Sequence, residues 1–257
     1  MQSDRRIVTT GACIIVLALG AGCARERPAE PAQNPPAVEH ATTQVKAVKE
    51  PKCSLAWKAH GHTTQSEAKT FANACLTAED GAVDVRMTPG QVRSKLATLL
   101  PPDHALPAMV PADIDTFCPG YAAASPAGRA HFWQELMTAM VSPESGYKTK
   151  TSYWEKGQDQ YSLGLLQLSY NDKYSYRDAS IPGCEFTTEA QVTDPDVNLQ
   201  CAVKIMTKVV KKANVIGGDQ SRLTRGGANY WSTLRMTSDA RPPIIAATRS
   251  IPVCQQN

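Results

Sequence analysis

The stretch VSPESGYKTKTSYWEKGQDQYSLGLLQLSY, residues 141–170, sets a single carboxylate, Glu144, between proline, serine and glycine, and follows it with Ser-Leu-Gly-Leu-Leu-Gln at 162–167. Just upstream, SPAGRAHFWQELMTAMV (125–141) opens with Ser-Pro, a helix-starting pair. It places Trp133, Leu136, Met137, Met140 and Val141 at i, i+3, i+4, i+7 and i+8, which predicts one apolar stripe. An unbroken helix carries Glu144 onto that stripe, where loss of water on one side raises a carboxyl pKa and keeps a proton available near neutral pH. Pro143 opposes this. It lacks a backbone donor and disfavours helical geometry at Ser142, so it predicts an end or kink there. A new turn begun by Ser142-Pro143 puts Glu144 at a helix N-terminus, whose dipole lowers the pKa. The residues alone leave both environments open.

Outward from this stretch the periodicity is helical from Cys53 onward. QSEAKTFANACLTA (65–78) reads as an amphipathic helix, and TPGQVRSKLATLL (88–100) opens with Thr88 as N-cap and Pro89 at the first helical position. DPDVNLQCAVKIMTKVVKK (194–212) starts at the cap Asp194 and ends in lysines that suit a helix C-terminus. Convincing alternating strands are missing apart from a short hairpin or irregular segment between 147 and 162, and Ser162 reads as the cap of a helix starting at Leu163 or as a substrate contact. The fold expected is a mainly α domain.

Residues 1–22 read as an export signal: Arg5-Arg6, then IVTTGACIIVLALGAG, an apolar core short for a membrane span. The ending LGAGC resembles the processing site of bacterial lipoproteins, which implies cleavage before Cys23 and its lipidation. Ala24 in place of an aspartate favours the outer membrane, facing the periplasm. Residues 23–51 are rich in alanine, proline and charge and read as a disordered tether. Beyond it, Cys53, Cys75, Cys118, Cys184, Cys201 and Cys254 form an even set, the mark of disulfides in an exported domain. The favoured pair is Cys184 with Cys201, pinning a loop to the last helix, then Cys53 with Cys75 and Cys118 with Cys254. The histidines are scattered and no CxxC occurs, so no metal is expected. The formal net charge of +3 is too weak for a nucleic-acid partner. Lys204, Lys208, Lys211 and Lys212 read as a solvated helix face, with contact to an anionic polymer as the other reading.

Three motifs in order, Glu144-Ser145-Gly146, Ser162-x-Gly164-Leu165-Leu166-Gln167 and Asp194-Pro195-x-x-Asn198-Leu199, resemble the soluble lytic transglycosylase domain of the lysozyme-like superfamily. The resemblance runs from about Cys118, so 118–257 is the expected lysozyme-like domain, and 52–117 a helical segment without an assignable motif. It implies cleavage of the β-1,4 bond between N-acetylmuramic acid and N-acetylglucosamine in peptidoglycan strands. Glu144 serves as acid and then base, and the muramoyl C6 hydroxyl attacks to leave a 1,6-anhydro sugar. No cofactor is required, and the chain is expected to act as a monomer. Ser162 and Gln167 are the implied substrate-binding residues, and Tyr230, in GGANYWSTLR, stands in for the family tyrosine that touches the acid. Glu155, Asp159 and Asp172 read as solvated loop charges. Trp133 reads as core, Trp154 as the better platform for a sugar ring, and Trp231 as a further stacking candidate. Rival readings are a goose-type lysozyme-like hydrolase, which a second catalytic aspartate near Asp159 or Asp172 would favour, and a non-catalytic peptidoglycan-binding lipoprotein.

Overall fold

The structure of the chain, a computed structural model, describes residues 52–255 except 62, 63, 82 and 220. The expected signal, Cys23 and the tether lie outside the described residues. What is described is mainly helical. Helices α1 (Lys52–His60), α2 (Gln65–Asp80) and α3 (Pro89–Leu99) lead through two single turns, α4 (Ala105–Ala108) and α5 (Ile114–Phe117), to the long α6 (Pro126–Ser145). An antiparallel sheet follows, β1 (Ser152–Glu155), β2 (Gln160–Leu163) and β3 (Leu168–Ser169), in the order β1-β2-β3. Then come the turns α7 (Asp172–Ser175) and α8 (Glu189–Val192), the long α9 (Pro195–Ala213), a turn α10 (Gly227–Tyr230) and α11 (Arg241–Arg249).

Helix α6 is the axis of the core, with α3, α4 and α11 packed around it. Its stripe of Trp133, Leu136, Met137, Met140 and Val141 is fully buried, and burial of side chains of this size stabilises the fold by about 1.5–3 kcal/mol each. The helix starts where Ser125 accepts a hydrogen bond from the Gly128 N–H and Pro126 fills the first position. Contrary to the break expected at Ser142, α6 runs through Pro143 to Ser145 and closes on Gly146 in the left-handed region. Pro143 deletes one rung of the ladder, but it lies in the last turn, where few rungs remain to be lost. The Tyr147 hydroxyl donates to the Thr138 carbonyl at 3.2 Å, tying the following segment back onto the helix.

The caps read from sequence are in place: Thr88 with Gln91 forms a reciprocal box on α3, and Asp194 accepts from the N–H groups of Asp196 and Val197 on α9. Residues 52–117 pack into one compact unit with the rest. The Asp113 carboxylate accepts from the Ile216 and Gly217 N–H groups at 2.7 Å, and buried Glu189 accepts from the Ser54 N–H at 2.9 Å. All three disulfides join the expected partners, Cys53–Cys75, Cys118–Cys254 and Cys184–Cys201. The solvated lysine face is corrected at one position. Lys204 is fully buried, and its ammonium donates to the Gly183 carbonyl at 2.8 Å and approaches Glu185 at 3.3 Å, because the 183–185 loop folds over α9 at the disulfide.

Candidate active site

The end of α6, the sheet, the start of α2 and the segment 230–235 enclose an open cleft of about 960 Å³, and Glu144 lies in it. Because α6 continues through Pro143, Glu144 occupies its last turn, at the carbonyl end of the helix and not at an amide end. That dipole disfavours a negative charge. Burial pushes the Glu144 carboxyl up to about 7; a hydrogen bond from Thr233 opposes the rise and the charge of Glu155 adds to it. The Thr233 hydroxyl donates to Glu144 Oε1 at 2.6 Å.

Glu155, expected as a solvated loop charge, instead lines the cleft. Strand β1 forms one wall: Ser152, Tyr153 and Glu155 line the cleft, Tyr153 half exposed, and Trp154 is the residue of the strand turned to the core. This corrects the reading of Trp154 as a sugar platform: it is buried edge-on against Tyr161, and Tyr153 is the exposed ring in the cleft. Trp231 is also core, its indole N–H donating to the Leu166 carbonyl at 2.9 Å.

Ser162 is a residue of β2 rather than the cap of a helix, paired across the sheet with Tyr153. It lines the cleft, and its hydroxyl donates to Glu155 Oε1 at 3.0 Å, so it positions the second carboxylate. Gln167, also in the cleft wall, sits at φ +49°. Its Nε2 donates to the carbonyls of Gly164 (2.8 Å) and Thr151 (3.1 Å), leaving Oε1 as the atom it offers. The second and third motifs meet at one side chain. Fully buried Asn198 accepts from the Leu166 N–H at 3.0 Å and donates to the carbonyls of Leu163 (3.0 Å) and Val192 (2.8 Å). Gly164, at φ +76°, passes so close that a Cβ there would lie 2.5 Å from Asn198 Nδ2.

Tyr230 lines the cleft, but its hydroxyl donates to Asp172; the side chain bonded to Glu144 is Thr233. The motif position is thus shared between two residues, and only the three-dimensional path of the 230–235 segment assigns them. Asp172 is buried rather than solvated. Burial pushes its carboxyl up to about 6 against hydrogen bonds from the Tyr230 hydroxyl and the Ser169 N–H. Asp159 alone of the three is exposed, paired with Lys58 at 2.9 Å. Sequence reading also missed Gln65, Ser66 and Lys69, which line the cleft from α2. The Gln65 side-chain amide pairs in both directions with the backbone of Trp154, at 2.8 and 3.2 Å, which fixes that wall to β1. No local signal marks these residues, because the contact spans 89 positions.

No family model and no curated protein matches the chain. Among solved structures it is similar to wild-type DslA (form 2), with 31% identity and a TM-score of 0.55 over 65% of this chain and 90% of that one. Two variants of DslA match at the same identity with TM-scores of 0.55 and 0.54, and each carries one glutamate-to-glutamine substitution, at positions eleven residues apart. Among the described glutamates only Glu144 and Glu155 have that spacing. At this identity, across nine-tenths of the DslA chain, the protein belongs to the same family as DslA.

Proposed function

We propose that the protein is a lysozyme-like glycosidase that cuts the β-1,4 bonds of peptidoglycan strands, with Glu144 as the proton donor and Glu155 as the second carboxylate of a hydrolytic pair. The observation that carries this reading is the pair itself. One carboxyl is half-buried with its pKa lifted to about 7, and it shares an open cleft with a carboxylate whose charge contributes to that lift. A general acid needs a pKa near the working pH, and a second carboxylate supplies the nucleophile or the base for water. The Ser162 hydroxyl, donating to Glu155 Oε1, fixes the orientation of this carboxylate in the cleft. Glu144 protonates the glycosidic oxygen as the bond breaks; Glu155 stabilises the cation at C1 or takes the proton of the attacking water, and the leaving sugar departs with a free hydroxyl. Tyr153, half exposed beside Glu155, offers a ring face to a sugar.

The lytic transglycosylase route is the second reading, favoured by the order of the three motifs. There Glu144 donates its proton and then receives one from the muramoyl C6 hydroxyl, and no water enters. The spacing shared with the two substituted glutamates of DslA supports the two-carboxylate route. We further infer that the chain is an exported lipoprotein monomer, anchored through Cys23 to the outer membrane and facing the periplasm. Three disulfides among the described residues fit an oxidising compartment.

Purified sacculi digested with the protein, with Glu144→Gln and with Glu155→Gln test the proposal. Products bearing a reducing end, lost by roughly a hundredfold or more in both variants, are expected. Products lighter by one water, with activity kept in Glu155→Gln, would establish the transglycosylase route. Binding without release by the unaltered protein would sink both in favour of a binding lipoprotein.

A further inference from the structure

Two adjoining hollows of about 500 and about 310 Å³ share Val209, Lys212 and Asn229, and together make a groove along the C-terminal half of α9. Its charge is one-sided. Lys208, Lys211, Lys212 and Arg225 line it against a single acid, Asp178, which is already paired with Lys208 at 3.0 Å. Lys211 and Lys212 are exposed, and neither forms an ion pair among the described residues.

Buried structure holds both walls. On one side the Cys184–Cys201 disulfide and the Lys204 ammonium on the Gly183 carbonyl press the preceding turn flat on α9. Gly183, at φ +122°, sits so close that a Cβ would lie 2.7 Å from the Gln200 carbonyl oxygen. Ser180 and Ile181, which line the groove, lie just before this fixed point of the chain. On the other side Arg225 donates to the Ala213 carbonyl at 3.0 Å, and Gly226 leaves no room for a side chain against Val215. The groove also adjoins the cleft. Tyr176 in its wall packs against Tyr230 with ring centroids 6.3 Å apart, and Tyr230 lines the cleft.

We propose that this groove is a second binding site for the wall polymer, taking the free carboxylates of its peptide stems on Lys211, Lys212 and Arg225 while the glycan lies in the cleft. The assignment rests on the reading that the substrate is peptidoglycan. Given that substrate, the acidic stems are the polyanion nearest to the cleft, and a cationic groove with fixed walls one aromatic ring away is complementary to them. Two ammonium groups per site, engaged at the surface, add affinity that salt screens.

The test compares full-length Glu144→Gln protein with the same protein also carrying Lys211→Gln and Lys212→Gln. Binding is measured by co-sedimentation to intact sacculi and to phosphatidylglycerol vesicles and, by mobility shift, to glycan strands stripped of their stems. Expected is a roughly tenfold weaker, less salt-sensitive binding to sacculi on losing the two lysines, with binding to stripped strands unchanged. Equal affinity of the two proteins for sacculi, no binding included, would overturn the proposal. So would an equal loss on stripped strands, which would assign the lysines to the glycan. Loss seen only on phosphatidylglycerol vesicles would also overturn it, in favour of a lipid headgroup. The functional reading fails by a different measurement, when the unaltered chain releases nothing from sacculi.

Discussion

At the scale of the residue, Glu144 is governed by two neighbours that act in opposite directions. The hydrogen bond from Thr233 stabilises the charged form, and the Glu155 carboxylate destabilises it, both on top of the larger effect of burial. Thr233→Val therefore raises the Glu144 pKa further above about 7, while Glu155→Gln lowers it, and carboxyl-carbon NMR titration of the two variants reads both shifts without needing activity. Two shifts of the same sign would contradict the geometry. The stability consequence has a definite sign. The folded pKa of about 7 lies above the ordinary 4.5, so between those values the folded chain holds a proton that the unfolded chain releases. The contribution is present in full below 4.5 and is lost as pH rises through about 7. Glu144→Gln never ionises there, so its melting temperature relative to the unaltered protein should rise between about pH 4.5 and about pH 8. A gap that stays constant would mean the carboxyl is not desolvated.

At the scale of the element, the motifs were legible as chemistry but not always as secondary structure. Caps at Thr88, Ser125 and Asp194 are local signals, readable from adjacent residues, and each starts its helix as expected. Pro143 was misread because its penalty depends on how many rungs lie beyond it, and that is decided by where Gly146 closes the helix. Ser162 was misread as a cap because the Leu-rich run after it suits a buried helix start as well as a strand end, and pairing with β1 decides between them. What the Ser-x-Gly-x-x-Gln segment needs is clearer in three dimensions. Its turn is held by Asn198 from another helix, and Gly164 admits no Cβ at either its φ or its distance from that amide. Gly164→Ala should destabilise the protein by about 2–3 kcal/mol, from left-handed strain and loss of an Asn198 hydrogen bond, and should disturb Gln167 with it. Urea unfolding would measure this. A change below about 0.5 kcal/mol would mean that the turn relaxes freely and that the glycine is there for the cleft instead.

At the scale of the whole molecule, the part of the site that sequence could not reveal is the part built from distance. Gln65 and Lys69 reach the cleft because α2 packs on β1, and Glu155 is held in it by Ser162 of the paired strand β2; neither fact is encoded near Glu144. The disulfides distribute that long-range order unevenly. Cys118–Cys254 spans 136 positions and joins the segment before α6 to the last described turn, whereas Cys53–Cys75 spans 22 and Cys184–Cys201 spans 17. Cross-linking restricts the unfolded chain more as the enclosed loop grows, by about 5 kcal/mol for the longest loop and about 3 for the two short ones. Replacing Cys118 and Cys254 together by alanine should therefore lower stability most, and do so without touching a residue of the cleft. Replacing Cys184 and Cys201 should cost less in denaturant but should loosen the 180–185 loop against α9, where Lys204 and Gly183 depend on it. Urea unfolding combined with hydrogen exchange separates the two: a global loss of protection for the first pair, and for the second a loss concentrated in 180–185 and the facing turns of α9. If the short staple proved globally dominant instead, stability would be set by the packing of that loop on α9, and chain entropy would be the wrong account of this fold.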